Sequence, residues 1–190
     1  SEMLSSGKPE AALLFGVTSS GKTSVYIHLI DKTLRSGKSA ILLVPEIALT
    51  PQMLTTFSSH FGNSIAVLHS SLSAGERYDE WKRARNGSAK LVIGTRSAVF
   101  APLSDLGLII IDEEQESSYK SESTPRYHAR DISRYLCAKS GAMLLLGSAT
   151  PDIESRYAAE TGRYRLFTLS ERYNDMSLPS VSIVDMKREL

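Results

Sequence analysis

The 190 residues hold a single cysteine, Cys137. One thiol closes no intrachain disulfide and builds no thiolate zinc site, so a reducing, intracellular and more narrowly cytoplasmic setting is expected. Long apolar runs are missing as well. Leu106 to Ile111, interrupted by Gly107, is among the longest and falls far short of the roughly 20 residues that cross a bilayer. No membrane partner is expected. Charge of one sign is not in excess either: 22 basic residues stand against 21 acidic ones, so contact with nucleic acid must use a local groove rather than an overall positive field. Internal repeats and low-complexity tracts are absent. What remains is 42% hydrophobic and 23% charged, enough to build a core, which excludes wholesale disorder and fibrous classes. The length suits one domain, or one domain with a linker. The opening SEMLSSGKPEAALLF, with an acidic second residue and a short apolar stretch, does not read as a signal peptide, and Met3 is not first, which reads as a segment of a longer chain.

Short apolar runs alternate with longer amphipathic stretches, the pattern of strand, crossover helix and parallel strand. Strands are expected at Ala12 to Phe15, Ser39 to Val44, Ser64 to Leu68, Lys90 to Ile93, Leu108 to Ile111, Met143 to Leu146 and Val181 to Val184. Several are apolar without alternation, as strands covered on both faces should be. Helices are expected at Lys22 to Arg35, Gln52 to Phe61, Ala74 to Arg85, Tyr127 to Ala138 and Asp152 to Thr161. Gly37, Gly62, Gly87, Gly141 and Gly162 stand where those helices should end. The fold class is therefore α/β, a mostly parallel sheet with helices on both faces. Residues 114 to 126, EQESSYKSESTPR, form a polar loop long enough to suggest a function. From residue 169 onward, the polar SERYNDMSLPS precedes a short apolar run and a charged tail, which reads as a linker and a final strand leading to a further domain.

Two patterns carry chemistry. GVTSSGKT follows an apolar strand and opens an amphipathic helix, the context a GxxxxGK[ST] phosphate loop requires. Gly16, Val17, Thr18, Ser19, Ser20, Gly21, Lys22 and Thr23 would bind the ATP phosphates: backbone N–H groups curl inward, the helix start adds its positive end, and Lys22 neutralises phosphate charge. Thr23 would ligate Mg²⁺. LGLIIIDEEQ is an apolar strand ending in carboxylates, so Asp112 emerges at the sheet edge where such folds bind ligands. Asp112 would hold Mg²⁺ through water, and Glu113, pointing elsewhere, would deprotonate the attacking water. Lys22, Asp112 and Glu113 are thus the expected catalytic set, and the chemistry is nucleotide hydrolysis.

With these motifs the sequence resembles the superfamily 2 helicases, and within them the primosomal replication-restart helicases, over nearly its whole length. LVPEIALTPQ (Leu43 to Gln52) is similar to that family's motif Ia, VIGTRSAVFAPL (Val92 to Leu103) to motif Ib, GSATP (Gly147 to Pro151) to motif III, and SSYKSESTPRYHARD (Ser117 to Asp131) to its aromatic-rich loop. The resemblance implies a RecA-like P-loop NTPase lobe over residues 1–168, with 169–190 leading to an absent second lobe. It implies an ATP-dependent DNA helicase acting in primosome assembly at stalled forks, moving on single-stranded or forked DNA. Primosome proteins and single-stranded DNA-binding protein are its implied partners, and zinc is implied only in a region beyond this chain. The family usually reads DEEH where this chain has Gln115 in fourth place. Gln115, Ser148 and Thr150 are the implied coupling residues.

Thr50, Gln52, Thr95, Arg96 and Ser97 offer donors suited to DNA phosphate oxygens. The same residues also suit capped turns and helix starts, as Ser148 and Thr150 suit caps before Asp152. Tyr119, Arg126, Tyr127, His128 and Arg130 interleave aromatic and basic groups that could stack on unpaired bases, or begin a helix that packs on the core. Trp81 with Lys82, Arg83 and Arg85 reads as a helix with one anchoring aromatic. Cys137 reads as a core residue, and His28, His60 and His69 have no ligand-like partners. Other classes remain: a nucleotide-gated switch without translocation, and a small-molecule kinase. A GTPase is disfavoured, since no NKxD run occurs. No arginine of the kind that a second lobe inserts across the cleft is found, so this lobe alone should hydrolyse ATP very slowly.

Overall fold

The structure, a computed structural model, describes residues 10–170. In chain order these form β1 (Ala11–Gly16), α1 (Lys22–Arg35), β2 (Ser39–Leu43), α2 (Pro51–Phe61), β3 (Ile65–Leu68), α3 (Ala74–Arg85), β4 (Leu91–Gly94), β5 (Leu106–Asp112), α4 (Ala129–Ser140), β6 (Met143–Ser148), α5 (Ile153–Glu160) and β7 (Arg165–Leu169). The strands join in one sheet of order β3-β4-β2-β5-β6-β1-β7, with every pairing parallel. Parallel strands need crossover connections, and an α-helix supplies each of them except β4 to β5, which passes through a short helical turn at Arg96–Phe100.

The central strands are buried on both faces because their side chains are apolar at consecutive positions: β2 and β6 are buried throughout, as are Gly107 to Ile111 of β5. Alternate residues then feed two cores. Leu13, Ile41, Val92, Ile109, Ile111, Leu144 and Leu146 pack with Ala84 of α3, Cys137 of α4 and Ala158 of α5. Leu14, Leu42, Ile93, Ile110 and Leu145 pack with Tyr26 and Ile30 of α1 and Phe57 of α2. Each such aliphatic side chain, fully buried, contributes about 1.5–3 kcal/mol of transfer free energy. Burial also pushes the Cys137 thiol up to about 12, which makes it an inert packing group.

Helix ends follow local chemistry. Ser73 and Glu76 form a reciprocal capping box at the start of α3. Gly141, at φ 69, ends α4 in the left-handed conformation that glycine adopts without strain. The α4 helix begins at Ala129 rather than at Tyr127, because the preceding residues are held elsewhere: Ser121 N donates to Tyr127 O (2.7 Å), and Lys120 bridges His128 antiparallel. Strand β7 was not expected from sequence. It is an edge strand whose residues Arg165 to Thr168 are exposed, so RLFTL lacks the continuous apolar signature of its neighbours. A division at 168/169 would cut this strand, since Leu169 still pairs with Gly16. The expected strand Val181 to Val184 lies outside the described residues. Among the described residues no helix is long and apolar enough to cross a membrane.

Candidate active site

Strand β1 delivers the loop Gly16 to Thr23 to the C-terminal edge of the sheet, and the loop's shape is set residue by residue. Ser19 and Gly21 adopt positive φ (65° and 89°), and Ser20 N closes a turn on Val17 O at 3.1 Å. Gly16 is needed for close approach: a Cβ there would meet Ser20 Oγ at 2.5 Å and Leu169 Cβ at 3.0 Å. The α1 N-terminus is capped by no side chain, and the buried Ser20 hydroxyl has no hydrogen-bond partner. An uncapped helix start beside an orphaned hydroxyl is what a bound phosphate would satisfy. Lys22 folds over this loop, with Nζ donating to Gly16 O (2.9 Å) and lying 3.6 Å from Glu113 Oε1. Val17, Thr18, Ser19 and Thr23 are exposed around it.

Asp112 ends β5 directly beside Gly147 of β6. Two tyrosines grip it. Tyr26, one turn after Lys22 on α1, donates its hydroxyl to Asp112 Oδ1 (2.8 Å), and the Tyr119 hydroxyl donates to Asp112 O (2.7 Å). Burial raises the Asp112 carboxyl above its ordinary range, opposed chiefly by the Tyr26 hydrogen bond. The chain then turns at Glu113, whose φ of 45° is rare for a side chain of this size. That turn separates the two carboxylates: Glu113 faces Lys22, while Glu114 points inward and is 2% exposed. Among the described residues no three His, Cys, Asp or Glu side chains cluster to hold a metal. The donor set expected from sequence for a divalent ion is smaller than such a cluster, one carboxylate and one hydroxyl supplemented by water and phosphate.

A line of hydrogen bonds leaves this centre. Gln115 Nε2 donates to Glu113 Oε2 (3.1 Å), Ser148 Oγ donates to Gln115 Oε1 (2.6 Å), and Thr150 N donates to Ser148 Oγ (2.9 Å). Asp152 occupies the N-cap position of α5, so neither Ser148 nor Thr150 caps that helix, and Thr150 joins the line only through its main-chain N.

The expected DNA track divides. Gln52, Ser97 and Arg126 are exposed. Thr50 caps α2, accepting from Met53 N at 3.2 Å, and Thr95 is buried. Arg96 donates through Nη1 to Ser118 O (3.2 Å) and Lys120 O (2.6 Å), leaving a buried Nε without a partner. Val44, Glu46, Ser70, Thr95, Arg96, Ser97 and Ser118 line one cleft. Half-buried Tyr127 packs edge-on against Phe100, with the Arg96 guanidinium 5.8 Å above its ring. His128 caps α4, its Nδ1 accepting from Arg130 N (3.1 Å).

Two expected base contacts are corrected. Tyr119 is 1% exposed and its hydroxyl is taken by Asp112, so no base reaches its ring. Arg130 is 8% exposed and enclosed by Glu114 (3.2 Å), Asp152 (2.9 Å), Glu154 (2.7 Å) and Ser155 (3.0 Å). Its charge is already matched inside the fold. Tyr26 was not singled out in the sequence, although it lies four residues after Lys22 on the same helix face, and Glu114 and Gly147 were read only as members of their motifs.

A profile of the DEAD/DEAH box helicase family matches residues 2–158. This chain belongs to the DEAD/DEAH box helicases. Curated relatives agree: the lobe is 51% identical over 189 residues to Replication restart protein PriA of Bacillus subtilis (strain 168), covering 100% of this chain and 24% of the relative. It is 49% identical over 184 residues to the PriA of Synechocystis sp., covering 94% and 22%. The helicase lobe thus spans about a quarter of the curated relatives it matches. Among solved structures it is similar to RecG bound to a three-way DNA junction (TM-score 0.59, 24% identity, 86% of this chain and 21% of that one). It is also similar to the Pyrococcus furiosus Hef helicase domain (TM-score 0.62, 20% identity, 92% and 38%). These likenesses show the fold, a RecA-like helicase domain. As a helicase motor lobe the chain implies ATP with a metal ion.

Proposed function

We propose that this chain is the first RecA-like motor lobe of an ATP-dependent DNA helicase of replication restart, turning ATP hydrolysis into movement along single-stranded DNA. The observation that carries the reading is the line Thr150–Ser148–Gln115–Glu113–Lys22, which joins the loop after β6 to the phosphate loop. Residues 1–168 with the adjoining Leu169 form the lobe, and 170–190 lead to a second lobe.

In this reading the loop Gly16 to Thr23 cradles the phosphates of ATP, and Mg²⁺, held by Thr23 and Asp112, supplies charge neutralisation when bound. Lys22 leaves Gly16 O to meet the phosphates, which frees Glu113 to take the proton of the attacking water. Glu113 is oriented by Gln115, so a shift of Ser148 reaches the base through two hydrogen bonds and a shift of Thr150 through three. Gln52, Arg96, Ser97, Arg126 and Tyr127 face the DNA, with Thr50, Thr95 and His128 shaping the same surface. PriA relatives are named for replication restart, and RecG is seen on a DNA junction. Forked DNA, primosome proteins and single-stranded DNA-binding protein are the proposed partners, the cytoplasm the proposed setting, and zinc belongs to regions beyond this lobe.

The test uses the full-length protein. Single-stranded and forked DNA should stimulate ATP hydrolysis. Lys22→Ala should abolish nucleotide binding or turnover, and Glu113→Gln should keep binding and remove turnover. ATP turnover indifferent to DNA would instead indicate a nucleotide-gated switch, and undiminished turnover in either variant would defeat the assignment.

A further inference from the structure

Tyr26 reaches the carboxylate of Asp112 across the face of β6, which requires a residue without a side chain on that face. Its ring lies on the α1 face of the sheet, 2% exposed, and its hydroxyl passes across β6 to Asp112 Oδ1 at 2.8 Å. The passage is open only because position 147 is glycine. A Cβ at Gly147 would overlap the Tyr26 hydroxyl, meet its Cζ at 2.9 Å, and stand 3.4 Å from Asp112 Oδ1. Gly147 has ordinary strand geometry, with no positive φ, and pairs in register with Leu14 on one side and Asp112 on the other. Backbone conformation therefore does not call for glycine here. Clearance for the hydroxyl does.

A free aspartate carboxylate at a strand end rotates about its last side-chain bond. A hydrogen bond to one oxygen removes that freedom and gives the other oxygen a defined direction. Tyr119, through Asp112 O, fixes the main chain of the same residue. The carboxylate is thereby oriented before any ligand arrives, the role that outer-shell partners play at metal sites. The position of Tyr26 four residues after Lys22 adds a second consequence: the helix that supplies the phosphate-binding lysine also orients the metal-binding carboxylate.

Resting on the motor-lobe reading, we propose that Tyr26 is a positioning residue that pre-orients Asp112 for Mg²⁺, and that Gly147 is present to let its hydroxyl through. The Tyr26 hydroxyl is committed to Asp112 and its ring is buried, so its contribution is read in the metal requirement of nucleotide binding rather than in nucleotide contact itself.

The experiment titrates Mg²⁺ against binding of a fluorescent, non-hydrolysable ATP analogue to the full-length protein, with a parallel measurement in excess chelator. Tyr26→Phe keeps the ring and deletes only the hydroxyl. It should raise the half-saturating Mg²⁺ concentration about tenfold, while affinity in chelator stays within about twofold of wild type. Gly147→Ala should raise the Mg²⁺ requirement in the same direction, and adding it to Tyr26→Phe should produce less than the product of the two effects, since both act on one hydrogen bond. An unchanged Mg²⁺ titration for Tyr26→Phe overturns the proposal. So does an equal loss of affinity with and without the metal, which would mark Tyr26 as a support of the phosphate loop alone. Failure of the motor-lobe reading looks different: wild type itself would then bind the analogue without regard to Mg²⁺.

Discussion

Arg130 shows how one side chain can be assigned to the wrong surface. A basic residue following Tyr127 and His128 looks like part of a DNA grip, yet its guanidinium is enclosed and faces Glu114, a carboxylate 2% exposed that also accepts from Ser155 Oγ (2.9 Å) and Asp152 N (2.8 Å). Glu114 therefore ties the strand that carries Asp112 to the start of α5, and Arg130 supplies its countercharge. Removing the cation leaves a buried, uncompensated charge, whose penalty exceeds the value of the ion pair itself. Arg130→Ala should destabilise the fold by about 3–5 kcal/mol, read by urea unfolding. Unaltered stability together with weakened binding of single-stranded DNA would return Arg130 to the DNA surface. The exposed partner Glu154 contributes far less, since solvent screens it.

At the scale of elements, α4 is the most informative because a histidine, His128, caps its start. His128 Nδ1 can accept from Arg130 N only while unprotonated, and burial, with the nearby Arg130 charge, lowers its affinity for a proton. The sign follows: the unfolded chain takes up this proton at higher pH than the folded one. The contribution is therefore complete above the ordinary histidine range and is lost as pH falls through the depressed folded value. Thermal unfolding between pH 7.5 and 5.5 should show a decline that His128→Asn, which can still cap, makes shallower. Parallel declines would remove His128 from the account. Helices α1 and α3 matched their expected bounds because Gly21 and Gly37, or Ser73 and Gly87, punctuate them locally. Strand β7 was illegible because an exposed edge strand carries no apolar run, and the phosphate loop was legible because its pattern lies within eight consecutive residues. The support around Asp112 was not, since Tyr26, Tyr119 and Gly147 meet it from three separate elements.

For the molecule as a whole, the site on this lobe is one-sided. The Lys22 ammonium is tied to Gly16 O and Glu113, and Arg130 is committed to the interior. Arg96 is engaged with the Ser118 and Lys120 carbonyls. If a second lobe contributes an arginine across the nucleotide, its absence slows turnover by about 10³ to 10⁵. Residues 1–190 assayed alone should accordingly bind ATP but hydrolyse it at least about a thousandfold more slowly than the full-length protein with DNA. Comparable rates in a phosphate-release assay would mean that the lobe is catalytically self-sufficient.

The strand order has its own implication for how the protein is made. Strand β1, the first of the described strands in chain order, has as its neighbours the last two of them, β6 and β7. Ribosomal synthesis runs from the N-terminus, at roughly 5 to 20 residues per second. The segment that will receive the nucleotide must therefore wait several seconds, flanked by no partner, until residues 143 to 169 have been translated. A ribosome paused before that point holds a nascent chain whose signature motif is fully synthesised and still without the two strands that flank it.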